Sequence, residues 1–202
     1  MKMKFKNKII LWAVTITFIP LLLSYIIFIT AKISDTEDSI KVTLKNVGNV
    51  ISQSDLVREK LYKRESDKSI QEYTKEFIES FNDVDIIVVG DMTGEKYSHL
   101  DESQIGEIYV NEDNKDVLQK GISYYSIMEG SMGTTLRWFE PIFYNNKQVG
   151  FIMVGKYEKD ITVINSKTKT TYTLLFLFSI ILSIIGAKIL ADNLKKLILD
   201  ME

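Results

Sequence analysis

The sequence contains no cysteine, one histidine and only two prolines among its 202 residues. Without cysteine the chain can form neither a disulfide nor a thiol-based catalytic or metal site. The single histidine, His99, excludes zinc sites that are built from several histidines of one chain. The sequence also lacks a Walker loop, a nucleophile elbow and paired metal ligands. We therefore expect no catalytic residue, no metal and no cofactor in this chain.

The chain also lacks an excess of charge of either sign. It has 25 basic and 27 acidic residues, and its formal net charge is −2. The sequence has no basic patch with interleaved aromatic residues, which is the usual footprint of a nucleic-acid-binding protein. We therefore expect no nucleic-acid partner. Apolar residues, in contrast, make up 46% of the chain and concentrate in two long runs.

The two apolar runs, residues 9–30 and 171–190, are each long enough for a helix that crosses a membrane. The first carries no charge, and Lys188 lies close enough to the end of the second to reach the interface. A cleaved signal peptide usually has a shorter apolar part and a small-residue cleavage site, and no Ala-x-Ala site follows the first run. The pattern therefore favours two uncleaved transmembrane helices.

Basic residues flank the outer ends of both runs, in segments 1–8 and 191–202. The positive-inside rule then places both termini in the cytoplasm, in a multi-pass protein of the plasma membrane. Residues 31–170 would form an extracytoplasmic domain. Segment 191–202 reads as the start of a cytoplasmic signalling helix. A signalling protein of this design needs a cytoplasmic domain, so we expect the sequence to be part of a longer protein.

Between the two runs, helical patterns precede β patterns. Apolar residues recur at helical spacing as far as Phe81, which predicts packing in a core or a dimer. Five β segments follow, at 84–90, 96–99 and 122–128 and as two strands within 130–157. Helices followed by closely connected strands predict an α+β domain on one five-stranded antiparallel sheet.

Three basic side chains, Lys96, His99 and Arg137, occur in strand-like contexts. Arginine grips a carboxylate through two parallel hydrogen bonds, whereas lysine acts as a point charge. The backbone N–H groups of the turn at 130–133 are suited to a second carboxylate, as in an anion nest. Two aromatic rings would pack against a short carbon chain between them. The hypothetical pocket therefore consists of Lys96, His99, Tyr109, Gly130, Ser131, Met132, Gly133, Arg137 and Phe139.

Structural roles compete with this hypothesis. A buried guanidinium needs a counter-charge, which is either a carboxylate of the protein or an anion from outside. The carboxylate pairs Asp101-Glu102 and Glu112-Asp113 lie in polar segments, which predicts a solvated surface. Lys96 and His99 have opposite parity in a regular strand, so both can face one pocket only if the segment bends.

Several motifs resemble those of a known family in their order and spacing. They are Val88-Val89-Gly90-Asp91, Lys96-Tyr97-Ser98-His99, Ile105-Gly106, Gly130-Ser131-Met132-Gly133 with Leu136-Arg137, Phe139-x-Pro141-Ile142, and Gln148-Val149-Gly150 through Val154-Gly155. With the two flanking runs, they resemble the N-terminal transmembrane sensor part of the citrate and C4-dicarboxylate sensor histidine kinases (the CitA/DcuS type). The resemblance implies a PAS-like (PDC, single-Cache) domain with a five-stranded antiparallel sheet and a long N-terminal helix.

The same resemblance implies a carboxylate site at Lys96, His99, Arg137 and the backbone of the 130–133 turn. It also implies a sensor of a two-component system that binds malate, fumarate, succinate or citrate outside the cell. The signal would pass through the second transmembrane helix of a homodimer to a kinase region and a response regulator. Lys96 stands where the family usually has arginine, which argues against bidentate recognition there. Phe139 stands where the citrate branch commonly has lysine, which favours a C4-dicarboxylate.

Two alternatives remain open at the level of the sequence. The same outer domain is compatible with a chemoreceptor or another type of receptor. It is also compatible with a membrane-anchored interaction domain whose pocket is filled by protein side chains, in which case Arg137 would pair with an internal carboxylate.

Overall fold

The computed structural model describes residues 5–130 and 133–199, so Ser131 and Met132 of the predicted pocket lie outside the described residues. The described helices are α1 (Phe5–Ser52), α2 (Asp55–Lys63), α3 (Ser69–Ser80), α4 (Lys115–Lys120) and α5 (Glu158–Leu199). The described strands are β1 (Ile86–Asp91), β2 (Tyr124–Gly130), β3 (Gly133–Tyr144) and β4 (Lys147–Tyr157). The chain separates into two compact units, one with residues up to 36 and from 164 onward, the other with residues 37–163.

The first unit consists of the N-terminal part of α1 and the C-terminal part of α5. Both helices are long and apolar enough to cross a membrane. Within this unit, the hydroxyls of Thr17 and Ser183 hydrogen-bond to each other, and the Tyr25 hydroxyl lies 3.0 Å from Thr173 Oγ1. Tyr25 also stacks on Phe176 at a centroid distance of 4.9 Å. Hydroxyl-to-hydroxyl contacts of this kind hold helices together where lipid supplies no hydrophobic driving force.

The second unit is built on a sheet in which the order of the described strands is β1-β4-β3-β2, with every neighbouring pair antiparallel. The β3–β4 hairpin turns through Asn145 and Asn146, whose φ angles are 48° and 60°. Asparagine tolerates this left-handed conformation, and the turn it forms matches the twist of a hairpin. The predicted α+β domain with a long N-terminal helix is therefore confirmed.

The two faces of the sheet bury different sets of side chains, because successive residues of a strand point to opposite faces. One face packs against α1 and α2, where Trp138 and Val154 join the cluster around Leu44. The opposite face buries Phe139 and Phe151 beneath the loop region that precedes β2. This second face carries the candidate site.

The prediction of five strands is wrong, because segment 96–99 does not form a strand in the described chain. Lys96 makes only an isolated bridge with Gly90. Beyond it, the N–H of Val89 donates to the Ser98 hydroxyl at 2.9 Å, so a side chain replaces the backbone acceptor that a ladder would require. The ladder stops there and the segment bends. This bend removes the parity conflict and lets Lys96 and His99 face the same space.

Candidate functional site

A cleft of about 100 Å³ opens on the Phe139 face of the sheet. Its walls come from β1, β3 and β4, from the end of β2 at Gly130 and from the loop that runs from Glu95 to Asn111. This loop folds back on itself because Tyr109 N donates to Gly94 O at 2.8 Å and Gly106 N donates to Lys96 O at 2.8 Å. Six of the predicted pocket residues line the cleft, namely Lys96, His99, Tyr109, Gly130, Gly133 and Arg137.

Lys96 places a buried ammonium group in the wall of the cleft. The residue is 5% exposed, and its Nζ donates to Gln104 Oε1 at 3.0 Å. Burial lowers the pKa of this ammonium, and the fields of Glu107 and Asp101 oppose that shift only in part. None of the ion pairs between described residues includes Lys96. A buried cation without a paired carboxylate attracts an anion into the cleft.

His99 supplies a second polar group, and the backbone of Asp101 fixes its tautomer. The Asp101 N–H donates to Nδ1 at 3.0 Å, which leaves the proton of the neutral ring on Nε2. Burial lowers the pKa of the imidazole, and the Asp101 carbonyl, 3.1 Å from Nδ1, opposes that shift. Burial thus favours the neutral ring, and in the tautomer set by the Asp101 N–H its Nε2–H is a hydrogen-bond donor.

Arg137 lies in the middle of β3 and is already paired from within. Its Nη1 donates to Asp113 Oδ2 at 2.9 Å, and the two side chains are only 3% and 5% exposed. Nη1 also donates to the Tyr109 hydroxyl at 3.1 Å, and Nη2 donates to Met128 O at 3.3 Å. The buried Nε has no hydrogen-bond partner among the described residues. The side of the guanidinium formed by Nε and Nη2 is thus only partly used by the protein.

The glycine turn makes room for this guanidinium. A Cβ atom at Gly130 would lie 2.7 Å from Arg137 Nη2, which is too close for any side chain there unless the guanidinium moves. Gly133 has a φ of 112°, a conformation that only glycine adopts without strain. Both glycines line the cleft, whereas the two residues between them lie outside the described part of the chain.

The two predicted aromatic residues differ in their positions. Tyr109 lines the cleft, and burial raises the pKa of its hydroxyl well above the ordinary value. Phe139 is fully buried beneath the cleft, where Tyr124 stacks on it and Tyr109 meets it edge-on. Phe139 therefore supports the wall of the cleft from behind and is not one of its lining residues.

The sequence did not single out several polar residues that line or support the cleft. Gln104, Asn111, Thr135 and Tyr157 line it, and Asp113 lies behind Arg137. The prediction that Asp113 is solvated is wrong, since three side chains donate to its carboxylate. An arginine in a strand signals that it needs a counter-charge, but nothing in the sequence indicates which of 27 acidic residues provides it.

The sequence and fold of the chain are similar to those of known sensor proteins. The family model described as "Single cache domain 3" matches residues 33–164. A "Probable C4-dicarboxylate sensor kinase" from Bacillus subtilis is 27% identical over 203 residues, which cover 98% of this chain and 38% of that protein. "Sensor histidine kinase DcuS" from Escherichia coli (strain K12) is 31% identical over 155 residues, which cover 76% of this chain and 28% of that protein.

The crystal structure of the E. coli DcuS sensor domain superposes with a TM-score of 0.59 and 29% sequence identity, covering 63% of this chain and 95% of that one. The chain spans less than two fifths of the length of the two relatives named above. The resemblance to CitA/DcuS-type sensor kinases is therefore confirmed for this part of their sequence. Since the family match extends over more than half of its residues, the chain belongs to the single Cache domain 3 family.

Proposed function

We propose that the chain is the transmembrane sensor module of a two-component sensor histidine kinase, with a site for a small dicarboxylate outside the cell. In this proposal residues 31–170 form the extracytoplasmic domain between membrane helices at 9–30 and 171–190. Segments 1–8 and 191–202 lie in the cytoplasm. The ligand contacts are Lys96, the Nε2–H of His99, the free donors of Arg137 and the backbone of the 130–133 turn.

The observation that carries this proposal is the buried ammonium of Lys96, which has no paired carboxylate among the described residues. Holding a desolvated charge in this position costs stability, and the hydrogen bond to Gln104 with the fields of Glu107 and Asp101 offsets that cost only in part, so a bound anion would stabilise it further. His99 adds a neutral donor to the same wall. The Lys96 ammonium, which is charged, and the His99 ring, which is a neutral donor, together suit a small organic acid better than an apolar ligand.

The preferred ligand in this proposal is malate, fumarate or succinate rather than citrate. The side chain two residues after Arg137 is Phe139, so the site lacks a cation at the position where the citrate branch commonly has one. Asp113 further lowers the positive charge of the site, because its carboxylate pairs with Arg137. The relative from Bacillus subtilis carries a name that refers to C4-dicarboxylates, which supports the same choice.

The signal would leave the domain through β4, which ends at Tyr157 and continues directly into α5. A ligand that joins Arg137 on β3 to the turn at Gly133 would stabilise one arrangement of the sheet. It shifts the equilibrium only by its differential affinity for the two arrangements. The response would be a movement of α5 in a homodimer, passed to a kinase region and a response regulator.

Calorimetric titration of the full chain in lipid nanodiscs with malate, fumarate, succinate and citrate tests the proposal. We expect saturable binding of a C4-dicarboxylate and a loss of at least tenfold in affinity in Lys96→Ala and in Arg137→Ala, since each removes a charge-assisted contact. Lys147→Ala, at an exposed hairpin position, is the matched control and should bind as the unmodified chain does. Absence of binding for all four acids would contradict the proposal.

A second candidate function is a membrane-anchored interaction domain that binds no small ligand. The ion pair between Arg137 and Asp113 favours it, because this cation is already neutralised by the protein. If none of the four acids binds while the chain is folded, this candidate replaces the sensor. A chemoreceptor with the same outer domain would give the same binding result and would differ in the sequence that follows.

A further inference from the structure

Asp113 contacts Arg137 but does not itself line the cleft. The residue is absent from the lining of the cleft, yet its carboxylate lies 2.9 Å from Arg137 Nη1 and is almost completely buried. The Tyr109 and Ser126 hydroxyls donate to the same carboxylate at 3.2 Å and 3.1 Å. The Tyr124 hydroxyl donates to the backbone carbonyl of Asp113. The counter-charge is thus fixed in place from several directions.

We infer that Asp113 is a specificity-determining residue, which sets the ligand charge that the cleft accepts by compensating Arg137 from behind. The inference rests on the proposed anion site. In its ion pair with Arg137, Asp113 offsets one of the two cationic side chains of the cleft, Lys96 and Arg137, and leaves one uncompensated positive charge. An anion with two charges then meets one uncompensated cation, and each further negative charge is disfavoured by the buried carboxylate.

Asp113 leaves part of the guanidinium without an acceptor from the described part of the protein. Asp113 uses Nη1, whereas Nε is buried without a partner among the described residues and Nη2 has only Met128 O. Nε and Nη2 lie along one edge of the guanidinium, and such an edge can bind a carboxylate through two parallel hydrogen bonds. The internal carboxylate therefore lowers the charge of the site without taking its remaining donors.

The test compares Asp113→Asn with the unmodified full chain in nanodiscs. Asparagine is nearly isosteric and can still accept hydrogen bonds, so the change removes charge with little change of shape. Binding of succinate, a dianion, and of monomethyl succinate, a monoanion, is measured by calorimetry. We expect the preference for the dianion, the ratio of the two dissociation constants, to rise by about tenfold in Asp113→Asn, because an uncompensated charge acts on both carboxylates of the dianion.

Asp116→Asn is the matched control, because it makes the same change of net charge three residues further along at an exposed pair with Lys120. Its ratio should change by less than about twofold, since exposed charges are screened. If Asp113→Asn fails to fold, Asp113→Ser repeats the test with a smaller neutral group. Loss of the fold in both would overturn the inference, because the carboxylate would then be a structural requirement.

Different results would contradict the role of Asp113 and the proposed anion site. If the unmodified chain binds succinate but Asp113→Asn leaves the ratio unchanged or lowers it, Asp113 only orients Arg137 and the inference falls while the sensor proposal stands. If neither protein binds any of the acids, the sensor proposal itself fails and the inference falls with it.

Discussion

The side chain of Gln71 on α3 binds the backbone of His99 through two hydrogen bonds. Its Nε2 donates to His99 O at 2.9 Å, and its Oε1 accepts from His99 N at 3.0 Å. Both residues are buried. The side-chain amide thus satisfies the backbone N–H and C=O of His99, as a neighbouring strand would in a regular sheet. A helix on one side of the domain thus fixes the position of a cleft residue.

Replacing Gln71 by alanine should weaken the domain and its site together. The buried N–H and C=O of His99 would lose their partners, which costs about 1–3 kcal/mol of unfolding free energy. Chemical unfolding of the chain in detergent measures this cost, and succinate titration measures the accompanying loss of affinity. Gln53→Ala, at an exposed position, is the control and should change neither quantity. An unchanged unfolding free energy in Gln71→Ala would show that water replaces the amide without loss.

Lys96→Met should separate stability from binding, because the two are expected to move in opposite directions. Removing a buried ammonium whose pKa is lowered by burial relieves its desolvation, so the unfolding free energy should rise by about 1 kcal/mol. The same change removes the uncompensated cation of the cleft and should lower the affinity for succinate by at least tenfold. A variant that loses stability instead would indicate that the contacts of the ammonium, including its hydrogen bond to Gln104, outweigh its desolvation.

His99 makes the stability of the domain depend on pH in a defined direction. Burial lowers its pKa below the ordinary value of about 6.5, so the unfolded chain takes up the proton first as the pH falls. Stability from this group is complete above about pH 6.5 and is lost at lower pH, by at most about 1.4 kcal/mol per pH unit.

His99→Asn is the variant that tests this dependence. Its Oδ1 can accept from the Asp101 N–H in place of Nδ1, and asparagine does not titrate. Thermal unfolding midpoints between pH 7.5 and pH 5 should fall more steeply for the unmodified chain than for His99→Asn. Parallel curves would show that the imidazole titrates alike in the folded and unfolded states.

The sequence predicted the elements of the domain better than the partners within the site. Hydrophobic patterns follow the period of helices and strands, so the long helices and the four strands of the described residues could be predicted from local spacing. The error at 96–99 arose because the Ser98 hydroxyl accepts the hydrogen bond of the Val89 N–H and so ends the ladder. The β propensity of a segment does not indicate that a side chain will take the place of a backbone acceptor. The partnership of Arg137 with Asp113 joins residues 24 positions apart and depends on a loop fold that no local pattern encodes.

The ion pair between Asp85 and Lys156 should be the main polar connection at the end of β4. Lys156 Nζ lies 2.8 Å from Asp85 Oδ1 and donates to Asn82 O at 2.9 Å, while the Tyr157 N–H donates to Asp85 Oδ2 at 2.8 Å. Asp85→Ala would leave the buried Lys156 ammonium with only the Asn82 carbonyl as its partner. It would also remove the carboxylate that accepts from the Tyr157 N–H. We expect the unfolding free energy to fall by about 3 kcal/mol.

Asp116→Ala is the matched comparison, because it breaks an exposed pair with Lys120 and should cost less than about 0.5 kcal/mol. Adding Lys156→Met to Asp85→Ala should recover much of the loss, since the second change removes the charge that the first left unpaired. Chemical unfolding of the unmodified chain, Asp85→Ala, Lys156→Met and the double variant gives the coupling energy. Additive losses in the double variant would mean that the two side chains stabilise the domain independently, through their separate contacts with Asn82 O and the Tyr157 N–H rather than through their ion pair.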